Sequence, residues 1–342
     1  MNTAFDQALH EGVVMAGFDK GLRLGPFEEV QKIMDRTCPS IEVPREETKF
    51  GVVYDDPLPR VWDKTQSETT GLKLGEVKYR MSIFSKTIRW NALDEIYSQF
   101  KQVNLYELAT QYGQHMKMIP FYCTAYLFTS TSANRFYTYV PKAYDSKNLF
   151  SDQARDGADG ASAGQHQGNT GSDFVLSAWS TPGILDMVED IENKFPAIAV
   201  SESDLGFHDI TYTSGAKKIL FVPPEKLGTV KRALKTKFSG DGETSASTQD
   251  NTWKEEYEVI SLFTLRGEDA VIVQLYSKAV PQHTPAVHLT PSFTNAYRSK
   301  YWNEENSDEA DRDLERWIRF RAWGNVVPRF WQVVLRYDLT DD

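Results

Sequence analysis

Apolar positions recur at helical spacing over residues 3–36, with an interruption between Gly21 and Pro26, so this stretch predicts one or two amphipathic helices. In the second, Phe27, Val30, Ile33 and Met34 share a face. Cys38–Glu47, with Pro39, Pro44 and several charges, reads as an extended linker. From Phe50 to Trp90 the spacing changes to that of strands. Val77, Tyr79, Met81 and Ile83 alternate with Lys78, Arg80 and Ser82, which makes a ribbon with one apolar and one cationic face. VVYDDPLPRVW and the polar TQSETTG precede it, and together they predict a long two-stranded hairpin. Two strands alone are marginal in water, so the apolar face needs a covering surface. Either this chain's own core or a second molecule supplies it.

Residues 93–128 predict helix, with Leu105, Leu108, Tyr112, Met116 and Ile119 on one stripe and Pro120 kinking or ending the first segment. FYTYVPKAYDSKNLFS reads as strand and runs into ARDGADGASAGQHQGNTGSD, a flexible loop rich in Gly and Ala. Ser180 or Thr181 caps a helix that has Pro182 in its first turn. KKILFVPPEKLGTVKRALKTKF then reads as a buried strand, a Pro-Pro corner and a helix with its basic residues in the last turns. After a second loop, SGDGETSASTQDN, strands return in EYEVISLFTL and DAVIVQLYS, and two aromatic-rich strands close the chain. The fold class is therefore α+β, with the C-terminal strands expected to pair with elements laid down before residue 165.

Composition narrows the function classes. The chain has 342 residues, enough for a sizeable core and about two domains. Lys and Arg total 38 against 48 Asp and Glu, a formal charge of −10, which offers no overall attraction to nucleic-acid backbones or anionic lipid. Cys38 and Cys123 lie 85 positions apart with no second Cys or His at metal-ligand spacing, so neither a zinc site nor a disulfide framework is indicated. No stretch reaches the roughly 18 apolar residues of a membrane span, and the N-terminus lacks a signal-peptide pattern.

Candidate chemistry is sparse. Gly160-Ala161-Ser162-Ala163-Gly164 matches the nucleophile-elbow spacing, which would make a hydrolase with Ser162 as nucleophile. That chemistry needs a strand feeding a tight turn into a helix, and the flanks SDQARDGAD and QHQGNTG offer neither. The phosphate-cradling P-loop pattern is absent, and no cofactor is indicated. His283 and His288, five apart in a strand-like segment, fall on opposite faces and are poorly placed to share a metal. Arg312, Arg316, Arg319, Arg321, Arg329 and Arg336 interleave with Trp317, Phe320, Trp323, Phe330 and Trp331. Such interleaving suits single-stranded nucleic acid or a protein interface. With Asp311, Asp313 and Glu315 adjoining, subunit contact is the better reading.

The order of elements resembles the Hong Kong 97 fold of tailed-bacteriophage major capsid proteins, and the Mu-like head subunits within it. The stretches that carry the resemblance are TKFGVVYDDPLPRVWDK, KYRMSIFSKTIRWNALDEI, NLYELATQYGQHM, AYDSKNLFS and KKILFVPPEKLGTVKRAL. One departure is SDQARDGADG after AYDSKNLFS, where Mu-like proteins tend to carry a short His-Pro segment. The resemblance implies an N-terminal arm (1–49), an E-loop hairpin (50–92), a peripheral P-domain with its spine helix (93–165), an axial A-domain (166–300) and a return to P-domain strands (301–342). It also implies self-assembly into hexamers and pentamers around double-stranded DNA, with a separate scaffolding protein, a portal and a decoration protein as further partners. No membrane is involved. Encapsulins, cargo compartments, share the fold and are the alternative.

On this reading Val77, Tyr79, Met81 and Ile83 lie over a neighbouring subunit, and Lys78, Arg80, Lys86 and Arg89 meet its carboxylates. Met81→Asp is then expected to block assembly while leaving the monomer's secondary structure nearly intact. Nothing in the sequence fixes the lysine–asparagine cross-link of the founding phage, and none is assigned. The N-terminal segment has no long charged coiled-coil region, so a fused, cleaved scaffold within this chain is not expected.

Overall fold

The computed structural model describes residues 3–45, 47–55, 73–91, 105–130, most of 136–152, Thr170, 177–199, 217–235, 256–276, 283–302 and 315–340. Helix α1 (Thr3–Leu24) ends where the sequence indicated. Gly25 adopts a φ of +66°, open to glycine at little cost, and its amide donates to the Gly21 carbonyl at 3.2 Å. Helix α2 (Glu28–Thr37) follows, with acidic residues in its first turn and Arg36 in its last, as the helix dipole favours. Strand β1 (Ser40–Val43) leads to the hairpin strands β2 (Glu47–Asp55) and β3 (Lys73–Arg80), and then to β4 (Ser82–Asn91). Helix α3 (Leu105–Thr129) passes through Pro120 without leaving the helix, so the proline does not end the segment.

The second half alternates more. It comprises β5 (Ser177–Ala178), α4 (Thr181–Ala199), β6 (Lys217–Val222), α5 (Leu227–Lys235), β7 (Tyr257–Ser261) and β8 (Ala270–Tyr276). Strands β9 (Ala286–Pro291), β10 (Tyr297–Trp302), β11 (Glu315–Pro328) and β12 (Val334–Thr340) complete the chain. The first sheet has the order β1-β9-β11-β10, with β4 also paired to β11; the second runs β5-β12-β8-β6-β7; and β2 and β3 pair as a two-stranded ribbon.

Strands β9 and β10 belong to the first sheet with β11. Strand β12 leaves it and fills the slot between β5 and β8 in the second. The two closing strands therefore do not stay together. The reason is burial: Val334, Leu335, Tyr337 and Leu339 face a core continuous with β8, whose residues Ala270–Leu275 are all buried. Strand β11 does pair with β4, laid down before residue 165, as expected.

Helix α4 packs Ile184, Met187, Val188, Ile191 and Phe195 into the core of the second sheet. Its polar side is held there too: Glu192 accepts from Lys218 Nζ at 2.8 Å and from the Tyr257 hydroxyl, and Asp190 accepts from Tyr337 at 2.8 Å. Burial, then the Glu192 charge, holds the Tyr257 phenol well above its ordinary pKa. The α2–β1 segment ties the sheets together. Arg36 forms a two-pronged ion pair with Glu258 of β7, and buried Gln274 of β8 bonds both Thr37 and the Arg36 carbonyl. Strand β1 then runs parallel to β9.

A smaller core forms where α1 and α3 cross over β11, from Val14, Phe18, Ala109, Met116, Ile318, Phe320 and Ala322. The helices approach so closely that a Cβ on Gly21 would lie 2.1 Å from the Thr110 carbonyl oxygen, and one on Gly113 2.5 Å from that of Phe18. Alanine in a helix interior ordinarily stabilises by about 1 kcal/mol relative to glycine. Here the overpacked backbone contact outweighs that gain. Gly21→Ala is expected to lower unfolding free energy by about 1–3 kcal/mol in urea titrations, whereas Gly12→Ala, where nothing lies within 4 Å, should be neutral or stabilising.

His288 of β9 is buried in the first sheet, with its Nδ1 3.0 Å from Ser40 Oγ. Burial, with the Lys117 charge adding to it, lowers its pKa to about 4. The folded protein therefore binds this proton less readily than the unfolded chain does. The stabilisation is complete above the unfolded pKa of about 6.5 and is lost as pH falls from there towards 4. Melting curves from pH 7 to 4.5 should fall more steeply for wild type than for His288→Asn.

Candidate assembly surface

The hairpin begins on the core of its own chain. Val77, Tyr79 and Met81 are only 1%, 2% and 5% exposed and belong to the main hydrophobic cluster, with Met34, Cys38 and Val43. The Tyr79 hydroxyl donates to the Arg45 carbonyl at 3.4 Å, and Asn325 of β11 donates to the Arg80 carbonyl at 2.7 Å. The apolar face expected to await a neighbour is thus covered at its base by the chain itself. This corrects the reading of Val77, Tyr79 and Met81 as an open contact surface.

Ile83 differs, and the difference arises at Met81. Strand β3 pairs with β2, while β4 leaves that ribbon to pair with β11 from Ser82↔Gly324 to Asn91↔Glu315. Met81 lies in neither strand, and the inward phase changes there: odd-numbered residues point inward before it, and Phe84 and Ile88 do so after it. A one-residue change of phase sends a side chain to the other face. Ile83 consequently stands 55% exposed.

The cationic residues are divided as well. Arg80, Lys86 and Arg89 are exposed, and the Lys78 side chain lies outside the described residues. Lys86 and Arg89, three apart, fall on opposite faces of β4. Lys86 borders a groove of about 740 Å³ between β4 and α3, lined by Ile83, Phe84, Tyr112, Tyr122 and Phe263. Arg89 lies over the Trp317 ring at 5.2 Å.

The C-terminal arginine and aromatic residues do not form one patch. Phe320 enters the smaller core, Phe330 and Trp331 the main one, and Arg336 pairs with Asp338 at 3.2 Å. Cys38 and Cys123, distant in sequence, share the main core as free thiols; burial pushes the first up to about 12 and raises the second. Ser162 lies outside the described residues. Among the described residues no three His, Cys, Asp or Glu side chains cluster as metal ligands would, and no helix is long and apolar enough to cross a membrane.

No known family model matches the sequence, and no curated protein sequence matches it. Solved structures do match the fold. A structure of the capsid of the cyanophage P-SCSP1u is 7% identical over 90% of this chain and 87% of the other, with a TM-score of 0.50. A chain from the Mycobacterium phage Patience is 9% identical over 92% of this chain and 85% of the other, also with a TM-score of 0.50. The chain has the α+β Hong Kong 97-like fold of phage capsid proteins.

The corrected hairpin geometry reverses one expectation and creates another. Met81→Asp buries a carboxylate in the main core and should unfold the monomer, read as lost circular dichroism and a lost melting transition. Ile83→Asp should change monomer stability by less than about 0.5 kcal/mol, the range of ordinary surface substitutions, while reducing any assembly.

Proposed function

We propose that this chain is the major head protein of a tailed phage and acts by self-assembly without a catalytic centre. It forms the hexamers and pentamers of an icosahedral shell around double-stranded DNA, assembling in the host cytoplasm and remaining in the virion capsid. The observation that carries this reading is the fold, shared with the capsid of the cyanophage P-SCSP1u over most of both chains. The acidic balance of −10 fits a wall that encloses DNA without gripping it. The quoted hairpin and helix stretches support a Mu-like subunit in particular.

In this assignment residues 1–49 are the N-terminal arm, 50–92 the E-loop, and the sheet of β9, β10 and β11, to which the E-loop adds β4, is the P-domain with α3 as its spine. The second sheet with α4 and α5 is the A-domain. A scaffolding protein, a portal and a decoration protein are the further partners. Ile83, Lys86 and Arg89, with Lys78 and Arg80 on the hairpin, contact neighbouring subunits; Val77, Tyr79 and Met81 support the hairpin from within.

Co-expression with the scaffolding protein, followed by sedimentation and electron microscopy, tests the reading. Closed particles are expected, and particles recovered from infected cells should hold DNA. A chain that stays monomeric under all assembly conditions would overturn it, and particles filled with an enzyme instead of DNA would favour the encapsulin alternative.

A further inference from the structure

Strands β10, β11 and β4 form a three-stranded surface whose two sides differ sharply. Residues paired directly across the strands share a side. Ile318, Phe320 and Ala322 of β11 point to the smaller core, so Trp317, Arg319, Arg321 and Trp323 occupy the opposite side. Their register partners on β10 are Trp302, Lys300 and Arg298, the last facing Arg321. Their partners on β4 are Arg89, Thr87, Ser85 and Ile83.

Two like-charged pairs therefore sit directly opposite one another, Arg298 with Arg321 and Lys300 with Arg319. Such pairs destabilise a sheet. Arg298, Lys300, Arg319 and Arg321 have no ion pair with any described residue. Tryptophan rings hold the cations in place: Arg319 and Lys300 lie over Trp302 at 5.2 and 4.9 Å, and Arg298 over Trp323 at 5.5 Å. The result is an array of four cations that no described carboxylate meets.

We infer that this tryptophan-braced cationic face is a docking surface for carboxylates of a second copy of the chain. Three observations favour a protein over nucleic acid. Cations already cover rings of Trp302, Trp317 and Trp323, so bases have less open ring surface on which to stack. Exposed Ile83 borders the array beside Trp323, which suits the centre of a protein interface better than a phosphate backbone. Every copy also carries a surplus of acid, with a net charge of −10, so the complementary charge is present on the same chain. The inference rests on the shell reading and names one of its contacts.

The test uses particles assembled from a mixture of isotopically light and heavy full-length chains, treated with a carbodiimide that joins an amine to a carboxylate in direct contact. Lys300 is expected to yield light–heavy cross-linked peptides, in empty and DNA-filled particles alike, that vanish on disassembly. In parallel, Arg319→Gln/Arg321→Gln should leave the isolated subunit melting at the same temperature or higher, because a repulsion is removed. Its assembled fraction should fall at least tenfold.

Wild-type particles in which Lys300 couples only within its own copy or not at all, with the double variant assembling normally, would overturn this inference and leave the shell reading standing. Protection of Lys300 confined to DNA-filled particles would overturn it in favour of nucleic acid. Failure of the wild type to assemble would remove the shell reading and this inference with it.

Discussion

The structure depends most on the pairing of one long strand, Glu315–Pro328, with three others. It pairs with β4 along one edge, with β10 along the other, and past Gly324 with β9. Its inward residues Ile318, Phe320 and Ala322 form the floor on which α1 and α3 cross. Asn325 holds the base of the hairpin through the Arg80 carbonyl, and the chain then passes directly into β12 of the other sheet. Displacing this strand would undo the hairpin base, the helix crossing and the link between the sheets together.

That arrangement explains how one polypeptide can be well packed internally and still unfinished at its surface. The hairpin root, the α1–α3 crossing and the Arg36–Glu258 link are each closed by contacts within the chain. The outer side of β10, β11 and β4 differs, because it sets like charges opposite one another and leaves Ile83 55% exposed. On that side Trp317 is buried and Arg319 and Arg321 are half-buried, while Arg298 and Lys300 stand exposed.

Much of the fold was legible in the sequence because it depends on local signals. The interruption between Gly21 and Pro26 marked the break between α1 and α2, the Ser180-Thr181-Pro182 cap marked the start of α4, and the apolar run KKILFV marked β6. What was not legible depends on distant pairing. Alternation through residues 77–83 suggests one continuous ribbon, and only the competition between β2 and β11 for partners reveals the change of phase at Met81. The close crossing of α1 and α3 depends on Gly21 meeting Gly113, 92 positions away, which no local pattern announces. The cationic face was partly visible as a run of arginine and tryptophan in β11, but Arg298 and Lys300 join it only through strand register. Phe320 faces the other side of the sheet, and Phe330 and Arg336 lie beyond the strand, in the main core and on β12.

The central claim is that a second copy of this chain completes the surface left open by the first. A reconstruction of the assembled particle, at a resolution that shows side chains, tests it most directly. The account predicts a closed shell in which a neighbouring subunit covers Ile83 and places carboxylates against Arg319, Arg321 and Lys300. A shell in which that face lies bare to solvent, or against nucleic acid alone, would contradict it.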